Sequence, residues 1–428
     1  MLVEAGRLLR RPAFSYPPHI RKTMSQFISV EDALEHILNA TPNPGIERAS
    51  LPQAAGRYLA EMVNAPADVP AFDNSAMDGI VVQRDDLDAL PVTLPLVGES
   101  AAGHPAHRDL RAGEAMRIST GARIPEGADQ VIPRELCDFG DDEVTILERP
   151  DHDHIRRCGE YLAKGRPALF PGQRLDPAAI GLLASFNIAA PTVMRRPTVA
   201  IVATGDELVE IGEQPGPGQI INSNAYMVEA LVRSCGAVPR VFPITSDSYE
   251  AVSRTFAQAS ASSDLVISIG GVSVGEHDHV RRVLDEVSRG MTFWKIRMKP
   301  GKPLAFGTTE RGVALVGLPG NPASSFVGFQ LFVRPLLACA QGVPRDQASL
   351  PRVNAVLDAP AKGAGGRRAY LAGQWYAQRG VIRFAPLSDQ SSGNPALFAG
   401  ANALGIVEEG QGQLKTGASL PVLLLPGG

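Results

Sequence analysis

The 428-residue chain carries no surplus of positive charge: 41 Lys and Arg stand against 45 Asp and Glu, a net charge of -4. That balance excludes the basic footprint of a nucleic-acid-binding surface and gives no electrostatic pull toward an anionic membrane. No apolar run approaches the roughly 20 residues needed to cross a bilayer. Cysteine is scarce. Cys137, Cys158, Cys235 and Cys339 are scattered, with no C-x-x-C pair. This excludes a disulfide framework or zinc knuckle and fits a reducing, cytoplasmic compartment. Repeats and heptads are absent too. What is left is a soluble chain long enough for two to four domains.

Residues 1-26 are basic, with Arg10, Arg11, Arg21 and Lys22. Their apolar content is too broken for a secretory core, so they read as a disordered or extra N-terminal arm, with Met24 as an alternative start. Val30 to Leu38 has helical spacing, and Leu59 to Val63 continues an amphipathic pattern. From 66 to 157 short strands and turns follow one another (LPLVGES, EAMRIST, DQVIPRE, EVTILE), as in a small β-rich domain. It looks inserted between 27-65 and 158-195, which form one discontinuous domain. From 196 to 345 strands and helices alternate: TVAIVA, the helix 222-235, VPRVFPI, the helix 249-261, LVISIG, the helix 279-287, VALVGL, and a long apolar helix 323-340 that Pro335 should break late. Such alternation implies an open, largely parallel sheet. Residues 346-428 return to short strands, as in a barrel or sandwich.

Ligands of an open parallel sheet bind beyond the carboxyl ends of its strands. Four loops there are unusually polar: Thr204-Gly205-Asp206-Glu207, Thr245-Ser246-Asp247, Gly270 to Asp278, and Pro319-Gly320-Asn321-Pro322-Ala323-Ser324. The glycine-rich third loop, with Gly270, Gly271, Ser273 and Gly275, and the fourth each lead into a helix. Backbone amides freed by glycine, aided by a helix dipole, cradle oxyanions. Ordinary strand-to-helix turns have similar composition, so their convergence carries the reading. Asp206, Glu207, Asp247 and Asp278 would repel an anion unless Mg²⁺ lies between them. Asp206 also reads as a loop cap, and Asp247 as an N-cap for the next helix. His277 and His279 read as solvated. Lys295, Arg297 and Lys299 alternate along an expected strand and share a face, and Gly301 lets Lys302 approach a ligand. Asp73 to Gly79 (DNSAMDG) is tight and polar, as a turn also requires.

Taken together, FDNSAMDG, TGDEL, ISIGGVSVGEHD, MKPGKP and GLPGNPAS resemble the MoeA-type molybdopterin molybdenumtransferases, relatives of the gephyrin E domain. The resemblance runs from about Val30 to the end. It implies a multidomain α/β plus β fold: a central three-layer α/β molybdopterin-binding-like domain, a β-rich inserted domain, an elongated mixed linker domain and a C-terminal β-barrel. It implies a cytoplasmic homodimer, working with a molybdopterin adenylyltransferase, that inserts molybdate into adenylylated molybdopterin and releases AMP. Its site would lie between the α/β domain of one subunit and the insertion of the other. By motif, Glu207, Asp247 and Asp278 would hold Mg²⁺ and phosphates. Lys299, Lys302, Ser324 and Ser392 would receive molybdate. Asp78, Thr120 and Arg156 would reach in from the insertion.

The chain departs from the family pattern twice. Gly159-Glu160 is followed by Tyr161 where an acidic residue is usual. In the C-terminal Gly-Arg-x-x-x-x-Arg-Gly pattern, the second Arg is Ala372, with Arg368 a candidate substitute. Two other functions compete: a non-catalytic gephyrin-like scaffold, which needs neither the carboxylates nor the lysines, and a CinA-like nucleotide hydrolase, which needs no flanking domains.

Overall fold

The computed structural model describes residues 27-271, 279-288 and 293-426. The chain forms two compact units. One contains the chain up to Arg48, Gly56-Tyr58 and the chain from Thr192 onward; the other contains Ala49-Ala55 and Leu59-Pro191.

The first unit is built on a six-stranded sheet ordered Val238–Val241, Thr198–Ala203, Leu265–Ile269, Ala314–Leu318, Pro303–Thr308, Phe293–Lys295. The first four strands are parallel. The last two run antiparallel to their neighbours, because the links joining them are too short for a crossover helix. The expected parallel sheet therefore has an antiparallel margin. Val199, Ile201 and Ile267 pack on one face, under the helices Val30–Asn39, Ser223–Ser234 and the helical run from Pro322. Ala200, Val202 and Val266 face Tyr249–Ser262 and His279–Val287 on the other. With both faces covered, the inner strands need no polar side, which explains their unbroken apolar runs.

Pro335 does not break the helix that ends at Ala340. The chain passes from an α segment, Pro322–Gly328, through a π turn, Phe329–Val333, into Arg334–Ala340. The wider turn precedes the proline, whose missing N–H cannot serve a regular turn. Contrary to the expectation that no apolar run approaches a bilayer span, this helix is long and apolar enough by length and composition, but 72% of its apolar window is buried, as in a core helix.

Beyond it, Arg352–Leu357, Arg368–Gln378, Val381–Pro386, Ala403–Val407 and Ser419–Leu424 close into a five-stranded barrel. Phe384 fills it. A Cβ on Gly373 or Gly405 would lie 2.4 Å from the Phe384 ring, so these strand positions must be glycine.

The second unit holds a six-stranded β sheet ordered Gln130–Pro133, Gly79–Val82, Ala115–Ile118, Val92–Ser100, Glu143–Ile146, Cys137–Phe139, with an apolar cluster around Ile80, Ile132 and Val144 and another around Val81, Met116 and Val131. Val63–Asn64 pairs with Pro167–Leu169, beside the helices Leu51–Ala54 and Pro177–Ser185. The expected helical continuation at Leu59 is absent. Its backbone instead exchanges hydrogen bonds with Gln173 and Gly172, and Val63 already lies in a strand. The multidomain α/β plus β class with a C-terminal barrel is borne out.

Candidate active site

At the carboxyl edge of the central sheet the predicted loops meet. Thr204 bridges to Thr245. Gly205 donates its N–H to the Thr245 carbonyl at 3.3 Å, and Asp247 donates its N–H to Asp206 Oδ1 at 3.2 Å. Asp206 thus ties the two loops together. Asp247 is released from the capping role, because Ser248 caps the next helix by accepting from Ala251 N–H. The Glu207 carboxylate folds over Gly205, so a Cβ there would lie 2.4 Å from Oε2. Among the described residues none of Asp206, Glu207 or Asp247 forms an ion pair.

Thr204 is 4% exposed, and its Oγ1 is buried without a partner. It points at the Gly270-Gly271 turn: Cβ atoms on those glycines would lie 3.6 and 3.2 Å from it. Both glycines have positive φ, at +88° and +64°, and a Cβ on Gly271 would strike Val280 Cγ2 at 2.4 Å. Only glycine brings the backbone so close. Gly270 spends its own N–H on the Leu318 carbonyl at 3.0 Å. Its Cα lies 3.8 Å from where a Gly320 Cβ would stand, so the two glycine loops adjoin. Ser273, Gly275 and Asp278 lie outside the described residues, as do Glu276 and His277.

The fourth loop is also held. Asn224 donates to the Gly320 carbonyl at 2.6 Å, and the Ser325 hydroxyl donates to the Pro319 carbonyl. Asn321 precedes Pro322 at the helix start, where proline's missing N–H is no loss. Ala323 donates its N–H to the Ser392 carbonyl at 3.1 Å, and Asn321 Nδ2 reaches Ser392 Oγ at 3.5 Å. Ser392 and Ser324 are therefore neighbours, but one amide of the expected anion cradle is already occupied. Gly301 approaches the Ser324 carbonyl, with its virtual Cβ at 3.5 Å.

The lysine segment is not one strand. Ile296 and Met298 are buried, so Lys295, Arg297 and Lys299 alternate with them as expected. The chain nevertheless changes sheets: Lys295 ends a central-sheet strand, whereas Met298–Lys299 pairs with Arg368 and Ala369 of the barrel. Lys302 Nζ sits 5.1 Å from the Phe27 ring centroid.

In the second unit, Asp78 Oδ1 accepts the Thr120 N–H at 2.7 Å. Arg156 pairs with Asn74 in a short antiparallel ladder, so the three predicted residues of this unit belong to one loop cluster. Arg157, not Arg156, carries its ion pairs, to Asp73 at 3.0 Å and Asp153 at 2.6 Å. The Cys158 backbone N–H, then Arg157, hold the Asp73 carboxyl below its usual range.

These loops match known proteins along nearly the whole chain. Residues 28-187 match the MoeA N-terminal region (domains I and II), 200-338 a probable molybdopterin-binding domain, and 354-425 the MoeA C-terminal region (domain IV). A molybdopterin molybdenumtransferase of Haemophilus influenzae is 37% identical over 92% of this chain and 98% of its own. The chain belongs to the MoeA family of molybdopterin molybdenumtransferases. A Nostoc relative of the same name is 35% identical over 96% of this chain and 97% of its own. The crystal structure of a molybdopterin biosynthesis MoeA protein from Pyrococcus horikoshii aligns with a TM-score of 0.81 at 30% identity, covering 94% of this chain and all of that one.

The departures from the family pattern now have surroundings. Arg368 cannot replace the guanidinium absent at 372. It is committed to Glu31 and Glu408: burial pushes its pKa down, but these partners and Tyr370 hold it above its ordinary value. Ala372 is fully buried against Ala323 and Leu397. Tyr161 is exposed.

Asn224, Phe27 and Gln390 were not singled out by sequence reasoning. Asn224 had a signal, a polar residue in the first turn of a helix on the expected sheet edge. Phe27 and Gln390 act through contacts distant in sequence and left none.

No three His, Cys, Asp or Glu side chains converge as a metal site among the described residues. Asp206, Glu207 and Asp247 are hard oxygen donors. Mg²⁺ needs no converging trio: it takes one or two carboxylates and completes its shell with water and substrate phosphate.

Proposed function

We propose that this protein inserts molybdate into the dithiolene of adenylylated molybdopterin and releases AMP in a Mg²⁺-dependent reaction. The observation that carries the reading is the meeting of two glycine loops and an orphan Thr204 hydroxyl at one sheet edge, whose loops also carry Asp206, Glu207 and Asp247, none of them in an ion pair among the described residues. A neutral ligand would leave those carboxylates without purpose. A phosphate alone would be repelled by them.

Glu207, Asp247 and Asp278 would hold Mg²⁺, which when bound polarises the phosphate oxygens and offsets charge building on the bridge. The Gly270-Gly271 turn and Thr204 would bind phosphate oxygens. Lys299 and Lys302 would neutralise the molybdate dianion, and Ser324 and Ser392 would orient it by charge-assisted hydrogen bonds. Lys295, Pro319, Gly320 and Asn321 would shape the same edge. Asp78, Thr120 and Arg156 are assigned to the same reaction. The working form would be a cytoplasmic homodimer, supplied by a molybdopterin adenylyltransferase.

The test supplies purified protein with adenylylated molybdopterin, Mg²⁺ and molybdate. AMP and molybdenum cofactor should both appear and both stop with EDTA. AMP without cofactor, or neither product, would refute the reading.

A further inference from the structure

We propose that Gln390 is a positioning residue for the oxyanion substrate, fixing the loop that presents Ser392 beside Ser324. The inference rests on the proposed function, which assigns molybdate to those hydroxyls.

The Gln390 side chain uses its amide entirely within the protein. Oε1 accepts the Ala372 N–H at 3.0 Å, while Nε2 donates to the Ala372 carbonyl at 2.9 Å and the Leu387 carbonyl at 2.8 Å. Both Nε2 protons are thereby taken, leaving no donor for an anion. It pairs with both backbone groups of Ala372, as a neighbouring strand would. The Leu387 N–H joins the same carbonyl at 2.9 Å.

Two residues later the loop lands elsewhere. The Ser392 carbonyl takes the Ala323 N–H, and its hydroxyl faces Asn321 Nδ2. Gln390 thus moors to the barrel a loop whose next turn reaches the helix start. Ala372 is 0% exposed and packs on Ala323, so the moored strand itself rests on that helix.

Gln390→Met keeps the length and removes all three hydrogen bonds. Gln390→Glu keeps one acceptor but turns a charged oxygen toward two carbonyls. Titration calorimetry on the full chain should show molybdate binding weakened about tenfold in Gln390→Met, and further in Gln390→Glu. AMP, held at the glycine loops, should bind within about twofold of wild type. Ser392→Ala should weaken molybdate similarly, and the double variant with Gln390→Met should lose little more than either alone, because both act through one hydroxyl. Molybdate affinity unchanged in both Gln390 variants, full additivity in the double variant, or a parallel fall in AMP affinity would overturn the inference while leaving the functional reading standing. A wild-type protein that binds neither ligand would overturn both.

Discussion

At the edge of the central sheet, Asp206, Glu207 and Asp247 have no cation against them among the described residues, and a buried Thr204 hydroxyl has no partner. In the second unit, Asp73 and Asp153 share the Arg157 guanidinium, and Asp78 takes the Thr120 N–H. Both regions are loops rich in Asp, Asn and Gly, and in sequence they look alike. Their difference is in satisfaction. Polar groups that hold a loop in shape are satisfied by the protein, whereas those awaiting a ligand are not. That contrast is what favours the sheet edge as the proposed site, while in the second unit Asp78 retains acceptor capacity.

The hardest test of this contrast is Asp247→Ala. Its carboxylate is neither a cap nor an ion-pair partner, so unfolding should shift by less than about 0.5 kcal/mol. Mg²⁺-dependent AMP release should fall about 10²- to 10³-fold, as expected when a charge-stabilising group is removed. A loss of turnover below tenfold would break the contrast.

Glycine substitutions sharpen it next. Gly271→Ala introduces a Cβ 2.4 Å from buried Val280 at a φ of +64°; Gly121→Ala in the second unit meets nothing within 4 Å at a φ of +81°. The first should destabilise by about 2 kcal/mol or more, combining steric overlap with left-handed backbone cost. The second should show the backbone cost alone, about 1 kcal/mol. Equal losses in denaturant unfolding would mean that close approach is no special property of the sheet edge.

At Asp78 a loop-shaping hydrogen bond coincides with a proposed catalytic role. Asp78→Asn keeps an oxygen for the Thr120 N–H and removes the charge. It should unfold within about 0.5 kcal/mol of wild type while losing about tenfold in turnover. Asp78→Ala should add about 1 kcal/mol of destabilisation, the net contribution of the hydrogen bond it removes. Full activity in Asp78→Asn would make Asp78 a turn residue only.

Much of this was readable in the residues. Thr198–Ala203 and His279–Val287 fall where periodicity put them, because fully covered strands and strongly amphipathic helices write their burial into composition. Adjacency at the sheet edge followed from topology, since strand ends with polar loops must cluster there. What was not readable is non-local. The run from Lys295 to Lys299 looks like one alternating strand, yet partners in two sheets divide it. Arg368 looked available until Glu31 and Glu408, distant in sequence, were placed against it. Pro335 looked like a stop, but a π turn let the buried helix continue. In each case a tertiary partner, absent from any local window, decided the outcome.

The smallest expected effect concerns the ion cluster of the second unit. The Asp73 and Asp153 carboxyls are both held below their ordinary values. For Asp73 the Cys158 N–H acts first and Arg157 next; for Asp153 burial pushes upward most strongly, but the Arg157 hydrogen bond, the Ile155 N–H and the nearby arginine charges together outweigh it. A lowered carboxyl pKa contributes stability that is present above the unfolded value, about 3.9, and is lost as pH falls through the lower folded value. The Arg157 pKa is raised, so arginine itself does not titrate in this window. These side chains are 30% to 50% exposed, so solvent screening limits the gain to about 1 kcal/mol or less. Arg157→Met should therefore be less stable than wild type by that amount at pH 7. The gap should narrow below about pH 4 and close in stronger acid. It should shrink in 1 M salt as well. The variant should still retain some acid sensitivity at this loop, because the Cys158 N–H continues to hold Asp73. A gap independent of pH would mean that Arg157 acts by packing, and the satisfied character of the second unit would then rest on backbone hydrogen bonds alone.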